Sequence, residues 1–214
     1  IASFAIIRGE KAGYRLTGFG KDDIAVRVDG HTVRVEEKRI VHSLNIGDNF
    51  VKPLVEITIP EGTKITRCAV KMGAGTVTVD SLSVGELSIE SGAGPVTIDK
   101  TDADGVRVKS GAGNLEISLC RFGDTELETA AGRIAIEADL GNKTRVSTGA
   151  GAMELSLPGT ADDWRFDFTR GVGVVTIGNE TYTGVGNGSA GNPNAAKRIE
   201  IENGFGAVTV NFTH

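Results

Sequence analysis

A short glycine-rich cassette recurs along this chain of 214 residues and limits what the chain can fold into. The last glycine of each copy stands nineteen residues after that of the preceding copy, at Gly75, Gly94, Gly113, Gly132 and Gly151. A strict period of this length predicts one supersecondary unit stacked several times, with the core buried between neighbouring units.

Apolar and polar residues alternate after each of these glycines, and a second apolar column precedes each cassette. Period-two alternation in β-branched residues predicts two short strands per unit, and no segment keeps the spacing of a helix. We therefore predict an all-β chain that forms a right-handed parallel β-solenoid (β-helix) with about nineteen residues per turn. Hexapeptide and leucine-rich repeats fit less well, because their characteristic residue columns are missing. The alternating columns are Val77, Val96, Leu115, Ile134 and Met153; Val79, Ile98, Ile117, Ile136 and Leu155; and Val70, Ile89, Val108, Leu127 and Val146.

Charged residues nineteen positions apart alternate in sign. Stacked strands lie ~4.8 Å apart, and like charges at that distance repel by about 1 kcal/mol even in water. Alternation removes this repulsion only if equivalent positions stack in register, so it supports the solenoid independently of the glycines. The alternating sets are Lys71, Glu90, Lys109 and Glu128, and Arg107, Glu126 and Arg145.

The two glycine columns of the cassette predict different roles. The column of last glycines stays glycine and continues at Gly173 and Gly206, which predicts a positive φ or a close backbone approach. The other column contains Ala130, so it tolerates a side chain. The alanines between the glycines, such as Ala74, predict a corner with room for one methyl group.

The presence or absence of the cassette distinguishes two regions of the chain, which we expect to form one continuous domain. Residues 1–60 lack the cassette and predict an N-terminal β-cap or irregular first turns. Residues 61–214 predict the β-solenoid, with a Gly/Asn-rich loop inserted at residues 178–197 that carries Tyr182 as its only aromatic residue. The strand Val208–Phe212 is then expected to form the free edge of the last turn.

Composition and motifs predict no catalytic, cofactor-binding or metal-binding residue. The net charge is -5 with interleaved acids and bases, which argues against nucleic acid as a partner. Cys68 and Cys120 fall in different columns and are expected to be small buried hydrophobes without a disulfide. Residues 186–191 match G-x-G-x-x-G, but the helix that a dinucleotide site needs does not follow, so a flexible loop is expected.

Two further groups of ionisable residues are candidate sites. Asp80 and Asp99 are expected to stack, with Asp102 and Asp104 at the next corner. A solvated corner is the favoured interpretation, and a calcium site or a glycosidase acid–base pair is the alternative. The histidines at positions 31, 42 and 214 are scattered and form no catalytic pattern.

The order of the sequence motifs in residues 55–214 resembles that of the bacterial putative-adhesin family of unknown function. The resemblance rests on Val55–Pro60, then Gly62 and Thr63, then the stacked Ser-Gly-Ala-Gly turns, and on the Gly/Asn-rich loop before residues 197–202. It implies a β-solenoid in a protein of the cell envelope, often behind an N-terminal membrane segment. The residue after the last glycine varies here, so an acidic stripe at that position is absent. The resemblance implies no catalytic residues in this chain.

These observations predict a non-catalytic adhesion or scaffold module at the cell surface or envelope, with a surface glycan or protein as its partner. The alternatives are a structural β-helix that polymerises end to end through Val208–Phe212 and a carbohydrate-active enzyme. No transmembrane run or signal peptide is present, and a start at Ile1 leaves room for an upstream signal or membrane anchor.

Overall fold

The computed structural model describes residues 2–19, 24–29, 32–37 and 53–213, and these are almost entirely β-strand. One 3₁₀ turn, Ala161–Asp163, is the sole helical element among them. The strands are β1 (Ala2–Gly9), β2 (Gly13–Thr17), β3 (Ile24–Asp29), β4 (Thr32–Glu37), β5 (Leu54–Pro60), β6 (Lys64–Asp80), β7 (Ser83–Ala93), β8 (Val96–Asp99), β9 (Asp102–Ala112), β10 (Leu115–Leu140), β11 (Lys143–Pro158), β12 (Trp164–Ile177), β13 (Glu180–Thr183), β14 (Gly186–Gly191) and β15 (Lys197–Thr213).

The strands of the cassette region pair in parallel with a register of nineteen residues. Val70 pairs with Ile89, Ile89 with Val108, and Ile98 with Ile117. Strand β6 pairs with β7 through its first half and with β8 through its second half, so the chain turns at the glycine corner between two sides of one coil. The all-β class and the parallel arrangement are therefore confirmed, and the arrangement fits a β-solenoid.

The last coil in the sequence is not the last coil in the stack. Strand β15 pairs in parallel with β11 on one side and with β12 on the other, so it lies between them. Val208 and Val210 consequently have hydrogen-bonded neighbours on both sides and are buried. The expectation that Val208–Phe212 is a free edge is wrong, because the chain places residues 164–177 beyond it and then returns.

The N-terminal strand is intercalated in a similar way. Strand β1 pairs in parallel with β5 on one side and with the second half of β6, Gly75–Val79, on the other. Strand β2 then pairs antiparallel with β5 and ends the order of the large sheet. Strands β3 and β4 form a separate antiparallel pair.

Residues 178–197 contain two strands rather than a loop. Strands β13 and β14 both pair antiparallel with β12 and cover the outermost coil. The glycines of β14 allow a close approach, because a Cβ at Gly188 would lie 2.4 Å from the ring of Phe168. Tyr182 packs on the same ring, with centroids 4.9 Å apart. Residues 178–197 therefore form a cap, which keeps the terminal strand β12 from presenting an unpaired edge.

The inward-facing columns form one continuous apolar core. Val77, Ile98 and Leu155 are fully buried, as the alternation predicts. Small aliphatic residues fill most coils, whereas Trp164, Phe166 and Phe168 fill the outermost one beneath the cap. Their larger side chains close the end of the core, which no further coil covers.

The column of last glycines has the backbone conformation that its sequence predicts. Gly94 has a φ of 117° and Gly132 a φ of 143°, both in the region that favours glycine. A Cβ at Gly132 would also lie 1.9 Å from the carbonyl oxygen of Gly113 in the preceding coil. The expectation that the neighbouring alanines need a small corner is wrong, because Ala150 stacks on Phe205, which is 61% exposed.

Candidate functional site

A concave surface lies on the outer face of the strands that precede the glycine corner. It is a groove of about 760 Å³. It crosses the stacked strands from Arg67 to Arg198, a distance of ~24 Å at the usual strand spacing. Alternation places every second residue of these strands outward, so equivalent outward positions form straight columns along the groove.

Two columns of outward side chains form the groove. Small residues, Ala69, Ser88 and Gly105, create its depth near the N-terminal end. At Gly105 a Cβ would find no atom closer than 4.0 Å, so this glycine leaves open space and is not required by the backbone. Charged side chains form much of the other surface: Arg67, Glu86, Arg107, Asp124, Glu126, Lys143, Arg145, Arg198 and Glu200.

Ion pairs between successive coils hold many of these charges in place. Arg107 pairs with Glu126 at 2.7 Å, and Arg67 pairs with Glu86 at 2.5 Å. In the next column Lys71 pairs with Glu90 at 2.7 Å, and Lys109 with Glu128 at 2.9 Å. The alternating charges predicted from the sequence therefore do stack. Exposed ion pairs of this kind stabilise a protein only weakly, but together they order a polar surface.

The alternation stops at one end of the groove. Lys143 stands in register with Arg198, and Arg198 with Arg165, so three cations occupy consecutive positions of one column. The sequence reasoning missed this cluster, because the residues are separated by 55 and 33 positions rather than nineteen. Both segments begin with a cation, but only the return of β15 makes them spatial neighbours.

Two carboxylates organise this cationic column. Asp167 lies 3.0 Å from Arg165 and 2.8 Å from Arg198. Burial opposes ionisation of Asp167, but hydrogen bonds and charge from the two arginines outweigh it and lower its pKa. Glu200 lies 2.7 Å from Arg145 and 3.1 Å from Arg198. The guanidinium groups are thus held in defined orientations along the groove.

The residues weighed as metal or catalytic sites have ordinary partners. Asp80 and Asp99 do stack, and Lys100 lies 2.7 Å from Asp99. Asp104 pairs with Lys64 at 3.0 Å, and Arg121 lies 4.0 Å from Asp102. Within the described ranges, no three His, Cys, Asp or Glu side chains are grouped to hold a metal ion. Positions 31, 42 and 214 lie outside the described residues.

The cysteines and the cassette hydroxyls face the interior. Cys68 and Cys120 are buried and unbonded to each other, as predicted, and burial raises the pKa of each thiol to about 11. Ser91 and Thr129 are buried, and their hydroxyls have no hydrogen-bond partner among the residues that the structure describes. Residues 186–191 form strand β14, and no helix follows them in the described chain.

Comparison with known proteins gives one family and two solved structures. The family model Toastrack DUF4097 matches residues 3–171 of the chain. The crystal structure of a putative adhesin from Bacteroides fragilis has a TM-score of 0.50 and 15% identity, over 100% of this chain and 88% of that one. A putative cell adhesion protein from Clostridium sporogenes has a TM-score of 0.40 and 13% identity, over 99% and 88%.

No curated protein matches the chain. At these identities the structural likeness to the Bacteroides protein shows the fold alone. In the described part of the chain, no helix is long and apolar enough to cross a membrane.

Proposed function

The chain belongs to the Toastrack DUF4097 family, and we propose that it is a non-catalytic adhesion or scaffold module of the cell surface or envelope that binds its partner in the groove. The observation that carries the proposal is the groove itself, which lies on a rigid, hydrogen-bonded sheet face rather than on loops. A preformed surface loses little conformational entropy on binding, which suits a binding module.

The chemistry of the groove supports binding better than turnover. Its charged side chains include carboxylates already paired with arginines, so the oxygens that general acid–base catalysis would need are engaged within the protein. The two cysteines are buried with raised pKa values, so they are poor nucleophiles. The likeness in fold to a putative adhesin of Bacteroides fragilis agrees with this assignment.

We also propose that the coils form one right-handed parallel β-helix of about nineteen residues per regular turn. Residues 1–60 serve as its N-terminal cap, and residues 61–214 form the body, which residues 178–197 close at the other end. No cofactor takes part, and the partner is a surface glycan or protein.

Filling the groove with a large side chain tests the proposed binding function. We expect Gly105→Tyr to weaken binding of the purified chain to its native cells or their envelope glycans at least about tenfold, because Gly105 borders open space in the groove. Gly73→Tyr is the matched control, since a Cβ there also meets nothing within 4 Å, and Gly73 does not line the groove. Binding is measured by pull-down with fluorescent protein.

The same samples distinguish a binding module from an enzyme. Recovery of the bound glycan without chemical change supports a non-catalytic module, whereas release of reducing ends or unsaturated sugars contradicts it. Surface labelling of intact cells with an antibody against the chain tests the location. Equal loss of binding in both tyrosine variants would also contradict the assignment of the groove.

A further inference from the structure

Exposed apolar side chains are concentrated at one place on the surface. Four of the seven large hydrophobic residues exposed in the described chain lie at the glycine corner of the coils nearest the cap, and we call them the apolar corner: Phe205, Val172, Val174 and Val185. Phe205 and Val172 are direct neighbours in register, on strands ~4.8 Å apart. A cluster of this kind marks a contact surface, whereas single exposed hydrophobic residues do not.

The cap brings Val185 to this corner. Strand β13 ends opposite Val174, and strand β14 begins opposite Arg170. The short link between the two strands therefore crosses the corner beside Val172. Val185 lies in this link and is 76% exposed, so the cap adds a third large apolar side chain in line with Phe205 and Val172.

The apolar corner is convex. Asn203 and Val208 are both buried, so the chain bends between them and Phe205 stands on the outer side of the bend. Val172 has the equivalent position in the neighbouring coil and is 58% exposed. A convex surface cannot enclose a small apolar molecule, so its occupant must be a larger surface into which these side chains project.

The apolar corner is also too small for a stable protein interface. Each side of such an interface contributes roughly 20–30 residues, whereas this patch has four large side chains. Toward the other end of the stack it continues only as one column of alanines, from Ala150 to Ala74. Alanine offers little apolar area, so a second copy of the chain would bury too little surface to stay bound.

The surface of the apolar corner is uncharged. None of the four short segments that meet there contains Asp, Glu, Lys or Arg, and the exposed polar side chains of Thr169 and Asn187 border it. One acid and one base, Glu202 and Arg170, stand next to these segments, so the surroundings favour neither an anionic nor a cationic partner. The segments are residues 149–152, 171–174, 183–187 and 204–207.

We propose that the apolar corner inserts into the surface of a lipid bilayer. Phe205, Val172 and Val185 enter the region where acyl chains meet headgroups, and the bordering hydroxyl and amide groups remain in the headgroup layer. A bilayer surface requires neither a complementary shape nor an opposite charge, which matches a convex and uncharged patch. The inference goes beyond the proposed function, because none of these residues lines the groove.

Cosedimentation of the intact chain with phosphatidylcholine vesicles tests the proposal. We expect binding to this zwitterionic lipid that changes less than about twofold when NaCl is raised from about 50 to about 500 mM. Phe205→Ser should weaken binding at least about tenfold, and Val185→Ser about fivefold, because each removes apolar area that enters the bilayer. Leu119→Ser is the matched control, since Leu119 is 63% exposed at a different corner of its coil.

A fluorescent variant reports insertion directly. Trp164 is the single tryptophan of the chain and is fully buried, so Phe205→Trp adds an exposed reporter whose emission should shift to shorter wavelength on phosphatidylcholine vesicles. Absence of vesicle binding, or equal losses for Phe205→Ser and Leu119→Ser, overturns the proposal. So does binding that requires anionic lipid and is lost at high salt. A dimer in sedimentation equilibrium that Phe205→Ser abolishes would instead identify a second copy as the occupant and would also overturn it.

Discussion

The glycine corner offers a sharp test, because Gly132, from the column of last glycines, and Gly73, the first member of the other glycine column, should respond to alanine in opposite ways. Gly132 has a φ of 143°, and a Cβ there would lie 1.9 Å from the carbonyl oxygen of Gly113. Gly73 does not have a positive φ, and a Cβ there meets no atom within 4 Å. The structure thus predicts strain at one position and free space at the other.

The expected magnitudes follow from these geometries. For Gly132→Ala, the backbone conformation costs about 1–2 kcal/mol, and moving the coils apart weakens ladder hydrogen bonds worth about 1 kcal/mol each. A loss of about 3 kcal/mol in the free energy of unfolding is expected, or roughly 6–12 °C in Tm for a chain of this size. Gly73→Ala should stabilise by about 0.4–1 kcal/mol, because alanine restricts the unfolded chain.

Thermal and urea unfolding followed by circular dichroism measure both variants. Hydrogen exchange should show the loss for Gly132→Ala concentrated in the coils that contain Gly113 and Gly132, since each coil contacts only its neighbours. Equal Tm shifts for the two variants would refute the reasoning that φ and backbone approach select glycine in this column.

Three further predictions address the interior and the cationic cluster. Cys68 and Cys120 should react with a thiol reagent at pH 8 only after urea unfolding, since their raised pKa values and burial disfavour the thiolate; rapid labelling of the native chain would contradict this. Thr129→Val should raise stability by about 1 kcal/mol in urea unfolding, because it removes a buried hydroxyl without a partner; a lower midpoint would show that the hydroxyl is satisfied. Asp167 has a lowered pKa, so its contribution is complete above its unfolded value near about 4 and is lost as the pH falls through the folded value; Asp167→Asn should flatten the acid limb of a Tm-versus-pH curve, and an unchanged limb would argue against the contribution.

The repeat determined the local structure and the register of the regular coils. Pairs such as Val70 with Ile89, and the opposite charges of Lys71 and Glu90, could be assigned from the sequence, because a fixed period makes the nearest equivalent position the neighbour. The positive φ of the glycine column was also predictable, since one column admitted alanine and the other did not.

Only the tertiary structure determines the order of the coils at the two ends of the stack. Each coil offers the same row of backbone donors and acceptors, so the repeat does not specify which coil fills a given place. Residues 197–213 pair with both β11 and β12, while the large aromatic residues of β12 suit the end of the core beneath β13 and β14. The cationic end of the groove follows from this return of the chain, because it brings Lys143, Arg198 and Arg165 into one column.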